Sequence, residues 1–409
     1  MCSDLHESCL SNTDVVLPTF VLDVGPDGDA TAPRLVENDG SQRGTYLTLS
    51  YCWGGRQTAQ LTTNSMEAYK IEVPLSSLPQ TLQDAVIVTR KLGYRYLWID
   101  ALCIIQDDEE FKQKELVNMG RIYGSSFLTI QASVPSSASD GFLAQRRPPD
   151  IPPAKLHYKT DAEGRRAYVY ARLKNDEPPV TSTSKRAWLF QETVLPVRVV
   201  SYTRLQVIVA CRERISREDG MPHGARDISP LHYMRIRPVL GPKRLSGPAV
   251  TREAALVAWY WSIAEFYSER TQSVSDDRLN ALSAYAQEAH RAIAGRYLAG
   301  VWDVDLVRGL EWKRTTVKPL ERAAVYRAPS WSWASYDGAF SYASATSTSS
   351  LARSDEGRAA KGPDPQCRPR IIEAWVTKGW HLPVWCLPRW ADHRRDSGWL
   401  SYHDYLVEA

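Results

Sequence analysis

Residues 78–132, LPQTLQDAVIVTRKLGYRYLWIDALCIIQDDEEFKQKELVNMGRIYGSSFLTIQA, leave little freedom in how this chain folds. Leu82, Ala85, Val86, Thr89 and Leu92 recur at three- and four-residue intervals, the spacing of one helix face. Pro79 sits near the start, where a missing N–H costs little, and Gly93 follows the end, where a left-handed cap suits glycine. Tyr96-Leu97-Trp98-Ile99 is a continuous apolar run, which predicts a strand covered on both faces. Asp100 ends that strand, at the sheet edge where parallel α/β folds place ligands. Asp107 or Asp108 is expected to cap the next helix, with Glu109 and Glu110 at its positive end. Phe111, Glu115, Met119 and Ile122 share one stripe of that helix, so Glu115 is a carboxylate among core-facing side chains. Phe127-Leu128-Thr129-Ile130 reads as a further strand. The order α-β-α-β predicts a parallel sheet wrapped by helices.

The remainder of the chain is less patterned. Residues 19–24 and 34–36 are expected to form two short edge strands around the turn PDGDA. Tyr46-Leu47-Thr48-Leu49-Ser50-Tyr51 is the first strong strand, and it runs straight into Cys52-Trp53-Gly54-Gly55. A strand ending in small residues exposes backbone N–H groups at the carboxyl edge, as an anion or nucleotide site needs; two glycines after a strand are also a common turn. Residues 155–175 alternate as strands do. A helix is expected from Arg186, with Trp188, Gln191 and Glu192 on one side, ended by Pro196. Residues 199–202 and 206–211 read as a strand pair, and 212–250 as a long basic surface loop. Amphipathic helices are predicted over 252–268 and 276–294, the second capped by Ser275 and ended by Gly295, with Trp302 and Trp312 covering the pair. Ser and Trp alternate over 328–335, which predicts a strand with Trp331 and Trp333 on one face. Residues 340–366 read as flexible, and the Trp-rich tail from Gly379 has no assignable pattern.

Charge and composition exclude several classes. A net charge of +3 is too small to imply nucleic acid or an anionic membrane surface. No stretch approaches the roughly 18 apolar residues of a membrane span. The first residues carry acids and no apolar core, so a secretory signal is not expected. The 7 cysteines are scattered and odd in number, which points to reduced thiols in a cytoplasmic protein. With 14 Trp and 20 Tyr against 7 Phe, the aromatic choice suits half-buried surfaces and pockets as well as core. Phosphate-loop, dinucleotide, nucleophile-elbow and metalloprotease motifs are absent. His6 with Cys9, and His381 with Cys386, lack further ligands at zinc-like spacing, so no metal is expected.

Five blocks carry a family resemblance: YLTLSYCWGG, LPQTLQDAVIVTRKLGYRYLWIDALCIIQDD, ELVNMGRIYGSSFLTIQA, RAWLFQETVLPVRVVSY and APSWSWASYDG. Together they resemble the heterokaryon incompatibility (HET) domain of filamentous fungi, strongly over about 40–195 and in scattered blocks to about 340. The resemblance implies an effector of fungal allorecognition and cell death. It also implies a flavodoxin-like, TIR-like α/β fold, some relatives of which hydrolyse NAD. The expected organisation is an N-terminal extension (1–39), the α/β domain (40–195), and an added α+β region (196–409) packed on it. Where many relatives carry Asp-Trp before the helical Glu, this chain has Phe111-Lys112.

Cleavage of an N-glycosidic bond passes through an oxocarbenium-like transition state that a nearby carboxylate stabilises. Glu115 and Asp100 are the candidate catalytic groups, with NAD as substrate and no cofactor required. The structural alternatives are a Glu115 paired with Arg90 or Arg121, and an Asp100 that caps its own turn. Ser50, Tyr51, Trp53 and Gly54 are expected to face the same crevice, with Cys103 just beyond. Trp188, Gln191, Glu192, Trp331 and Trp333 are candidate pocket walls or a lid; interdomain packing is the alternative for each. Two rival functions fit the same residues: an enzyme for a small organic metabolite in an aromatic-lined pocket, and a non-enzymatic module that self-associates as a homo-oligomer.

Overall fold

The computed structural model describes Cys9 and residues 13–143, 154–171, 186–218 and 251–342, apart from positions 29–30, 56, 58, 161–163, 165, 205, 213, 273 and 316–319. Eight strands form the central sheet: β1 (Phe20–Asp23), β2 (Arg34–Glu37), β3 (Tyr46–Ser50), β4 (Tyr96–Trp98), β5 (Leu128–Ala132), β6 (Arg198–Tyr202), β7 (Val207–Cys211) and β8 (Ile215–Arg217). Their spatial order is β8-β7-β6-β5-β3-β4-β1-β2. The middle run β6-β5-β3-β4 is parallel. Antiparallel pairs extend it on both sides: β1 and β2 beyond β4, β7 and β8 beyond β6. The fold is therefore mixed α/β with a mixed eight-stranded sheet, parallel where the apolar runs are continuous.

The chain leaves β3 for β4 on one side, then returns past β3 to β5 and β6 on the other. The connecting helices are α1 (Gln80–Lys91), the short α2 (Asp100–Cys103), α3 (Glu109–Ser125) and α4 (Leu189–Val194). Right-handed crossovers put α1 on one face and α3 with α4 on the other. The strand order reverses between β3 and β5, so their carboxyl ends flank the crevice of the sheet. Side chains of β3 alternate toward the α3 face: Tyr46 OH donates to the Ile122 carbonyl (2.6 Å) and Thr48 Oγ1 meets Thr129 Oγ1 (2.8 Å). Ser50 continues that alternation and points to the same side.

A second core covers α3 and α4. It is built on α5 (Arg252–Ser262), which continues into a π-helical turn over Ile263–Tyr267, and on α6 (Ser283–Ile293). Trp259 stacks on Tyr285 (5.3 Å) and meets Trp302 edge-on (5.4 Å), so much of the tryptophan surplus fills this core. Helices α3 and α6 touch at Gly120, where an added Cβ would lie 2.1 Å from the Ala284 Cβ.

Several sequence expectations change. The predicted helix over 252–268 is present over 252–267, with its last turn widened into a π-helix. The helix expected over 276–294 begins as a separate turn, Asp277–Asn280, and restarts at Ser283. Arg278, drawn inward to the Ser268 and Arg270 carbonyls, accounts for the break. Ala294, not Gly295, adopts the left-handed cap (φ 52°). Gly295 is small for a different reason, since a Cβ there would lie 2.8 Å from Val304. The alternating Trp/Ser segment is no strand but a turn ending in a 3₁₀ helix, Trp333–Ser335. Ser332 Oγ caps the Ala334 N–H and Ser335 Oγ reaches the Ser332 carbonyl, the local bonding that makes serine a turn former. The helix expected from Arg186 starts at Leu189. Trp312 packs beside Tyr336 and Phe340 rather than over the helix pair. Residues 155–175 hold a hairpin, Ala154–Thr160 with Arg166–Ala171. The expected basic loop lies outside the described residues apart from β8 and its flanks. So do the 340–366 segment beyond Tyr342 and the tail.

The α3–α6 contact yields a direct test. Gly120→Ala should destabilise the chain by about 1–3 kcal/mol, because the helices must separate to admit a methyl group. Gly120→Ala with Ala284→Gly should recover most of the loss. Thermal melts check both; a single variant as stable as the wild type would mean that the helices do not meet this closely.

Candidate functional site

Two carboxylates meet at the crevice from opposite directions in the chain. Asp100 is the first residue of α2, directly beyond β4. Trp53, just past β3, donates its indole N–H to Asp100 Oδ2 (2.8 Å), and the Ala101 amide donates to Oδ1 (2.7 Å). Asp100 is packed by protein on nearly every side yet keeps part of its surface reachable, as a group at the floor of a crevice does. Glu192 comes from α4, all six of whose residues are buried. The charges of the two carboxylates act on each other.

Their surroundings explain why both titrate above the ordinary carboxylate range. Burial pushes Asp100 above the ordinary carboxylate range, against the pull of the Arg186 guanidinium and the Trp53 hydrogen bond. Burial, and then the charge of Asp100, push Glu192 up to about 7, while Arg186, Ser50 and Tyr123 oppose the rise. Arg186 donates to the Tyr51 carbonyl (3.1 Å). Its position is set from the second core. Arg270 donates to the Arg186 carbonyl (2.9 Å), the Ala187 amide donates to the Thr271 carbonyl (2.9 Å), and Trp188 donates to Asp277 Oδ2 (2.8 Å).

Ser50 Oγ, Tyr51 OH and Trp98 Nε1 are buried without a hydrogen-bond partner. Ser50 lies beside Glu192, and the Tyr51 hydroxyl lies beside Asp100 but outside hydrogen-bond geometry. Tyr123 packs edge-on to Trp98 (5.6 Å) and donates to the Leu49 carbonyl (2.9 Å). The adjoining loop is tight: Gly54 has φ +73°, and a Cβ there would lie 2.4 Å from Ser137 Cα.

The structure thus brings Ser50, Tyr51, Trp53, Asp100 and Glu192 together around Arg186. Other candidates stand elsewhere. Glu115 is buried on α3, where Thr19 Oγ1 donates to its Oε1 (3.0 Å). Neither expected arginine holds it in this way; Arg90 instead donates to the Val24 and Thr31 carbonyls. Cys103 is buried, and desolvation pushes its thiol up to about 12, which opposes a nucleophilic role. Gln191 has a buried Oε1 without a partner on the same helix as Glu192. Trp188 bridges the two cores. Trp333 lies inside the second core with its N–H on the Gly300 carbonyl (3.1 Å), and the Trp331 carbonyl accepts from Trp312 (2.9 Å). Arg186 and Tyr123 were not among the sequence candidates. The signal available for Arg186 was its place at the head of the block that ends in Glu192.

The carboxylate pair makes stability pH-dependent with a definite sign. Glu192 titrates at about 7 in the fold, against an ordinary value of 4.5 once unfolded. Between those values the folded chain holds a proton that the unfolded chain has lost. Its contribution is full below the unfolded value and is lost as pH rises through about 7. The melting temperature should fall between about pH 5 and about pH 8. Glu192→Gln should flatten that slope, and Arg186→Gln should steepen it by leaving both carboxylates without their cation. A wild-type stability that rose over this range would contradict the assignment.

No curated protein and no solved structure matches this chain. Residues 46–192 match the family model described as heterokaryon incompatibility protein (HET). The match opens at the first residue of β3 and closes on Glu192, so it spans every group at the crevice named above. That match covers 147 of the chain's 409 residues, and over them the chain is similar to that family.

Proposed function

We propose that this chain is a HET-domain effector of heterokaryon incompatibility whose crevice hydrolyses the N-glycosidic bond of NAD or a related nucleotide. The observation that carries this reading is the buried Asp100–Glu192 pair beside a half-buried tryptophan, at the strand ends where the sheet order reverses. The parallel strands follow the order 2-1-3-4, counted from β3, which is the flavodoxin-like arrangement and agrees with a TIR-like core. The family-model match over residues 46–192 supports the incompatibility role.

The chemistry assigns different work to each carboxylate. Asp100, held by Trp53 and faced by Arg186, stabilises positive charge developing on the ribosyl carbon as nicotinamide leaves with the bonding pair. Glu192, titrating near neutrality, takes the proton from the water that attacks that carbon. ADP-ribose, nicotinamide and one proton result. Glu115, the leading candidate from the sequence, is bound to Thr19 and has no part in this scheme. The aromatic-pocket reading loses support because Trp333 is enclosed in the second core.

Purified full-length protein incubated with NAD should release nicotinamide. The rate should rise with pH through about 7 as Glu192 ionises. Glu192→Gln and Asp100→Asn should each lower it by about a hundredfold or more, and Glu115→Gln by no more than a few-fold. No release at high protein concentration would remove the enzymatic reading. Concentration-dependent assembly by the same inert protein would favour the self-associating module.

A further inference from the structure

Ser50 and Tyr51 leave a chemical requirement that the carboxylate pair does not meet. Their hydroxyls are buried without partners, at 0% and 3% residue exposure, and they stand beside Glu192 and Asp100 respectively. Buried polar groups are bonded in the great majority of proteins, so two adjacent orphans beside two carboxylates mark a place where hydrogen bonds are to be made. These side chains meet here in two pairs, Ser50 with Glu192 and Tyr51 with Asp100; an ionised carboxylate only accepts, and Glu192 donates as well when it holds its proton. A matching group must bring donors. It must also accept, since each hydroxyl has a proton to give. Phosphate fits poorly, because two carboxylates repel it and Arg186 already faces them. Adjacent hydroxyl groups on a neutral ring meet both demands.

We propose that Ser50 and Tyr51, with Glu192 and Asp100, form a diol subsite that binds the vicinal hydroxyls of a ribosyl group and excludes its phosphates. The inference rests on the crevice assigned above, but it concerns recognition and does not need turnover. Ser50 Oγ and Glu192 take one hydroxyl; Tyr51 OH and Asp100 take its neighbour. Ligands then differ in affinity by their sugar hydroxyls, and inorganic phosphate is no competitor.

The test uses full-length protein and a carbocyclic NAD analogue, which keeps the vicinal hydroxyls and cannot be cleaved, beside its 2′-deoxy counterpart. Calorimetric titration should show the deoxy form binding about tenfold more weakly or worse, as the loss of a hydrogen bond to a charged group implies. Of Ser50→Ala and Tyr51→Phe, the one that faces the 2′-hydroxyl should shrink that ratio toward one, the other should weaken both analogues alike, and inorganic phosphate should leave the affinity unchanged. Melting curves for both variants establish that they are folded; if either is not, Ser50→Gly or Tyr51→Leu takes its place. Equal affinity for the two analogues, no binding of either, or competition by phosphate would overturn the subsite. If NAD is inert in the turnover assay while the analogue binds with the ribose preference, the hydrolysis reading falls and the subsite stands.

Discussion

Two carboxylates and one guanidinium, gathered under a tryptophan at the carboxyl ends of a parallel sheet, set the terms for the rest of this structure. Burial raises the pKa of Asp100 and Glu192 above the ordinary carboxylate range, and the charge of Asp100 raises Glu192 further. Arg186 opposes that tendency without cancelling it, which leaves Glu192 titrating near neutrality. A surface pair would be screened and worth little; here the surroundings keep the interaction strong and make the position of the guanidinium critical. Much of what surrounds the crevice serves to hold Arg186 in place.

The second core does that work. Arg186 lies ahead of α4, on a short stretch tied to Thr271, and its carbonyl is gripped by Arg270. Arg270 also lies over the Phe190 ring (5.6 Å), and Phe190 meets Tyr267 (5.4 Å) and Tyr285 (5.1 Å) edge-on. Arg278 is fully buried, donating to the Ser268 and Arg270 carbonyls between the rings of Tyr267 and Trp333. Thus residues outside the 46–192 family match fix the backbone that carries its final block. The close approach of α3 and α6 at Gly120 joins the same two layers from the other side. Region and domain are packed as one interior at this point, and a change in the second core reaches Arg186 through backbone hydrogen bonds.

This division explains which parts could be read from residues alone. The α1-β4-α3-β5 succession was legible because helical spacing, a continuous apolar run and end signals agree over one short stretch, and Asp108 does cap α3 through the Phe111 amide. Asp100 and residues 50–54 were legible as neighbours because the parallel register places successive strand ends side by side. Glu192 was visible only as part of a distant block, and Glu115 drew attention because it broke an apolar stripe. A stripe records burial, not company: Glu115 is buried beside the Thr19 hydroxyl, whereas Glu192 is buried beside another carboxylate. Arg186 was missed because its partners come from residues 51, 100, 192, 270 and 271, and no local pattern links these. The Trp/Ser alternation over 328–335 misled for a similar reason, since serine hydroxyls that bond their own backbone imitate the period of a strand.

The orphaned polar atoms give the crevice its energetic character. Ser50 Oγ, Tyr51 OH and Trp98 Nε1 each forgo about 1–3 kcal/mol by lying buried and unbonded. Ser50 cannot turn to water, since β3 is locked by Tyr46 on Ile122, by Thr48 on Thr129 and by the Leu49 carbonyl on Tyr123. The sheet fixes these groups in register, and the helices above it close off their escape. Elsewhere in the same sheet the equivalent demand is met internally: Gln131 donates to Thr193 Oγ1 (2.9 Å) and accepts from Ser201 (2.7 Å) one strand away. The contrast between a satisfied network beside β6 and an unsatisfied one at the end of β3 separates structural polarity from polarity held in reserve. A ligand that bonds these atoms recovers a cost the fold has already borne, and it does so at the one end of the sheet where the strand order reverses.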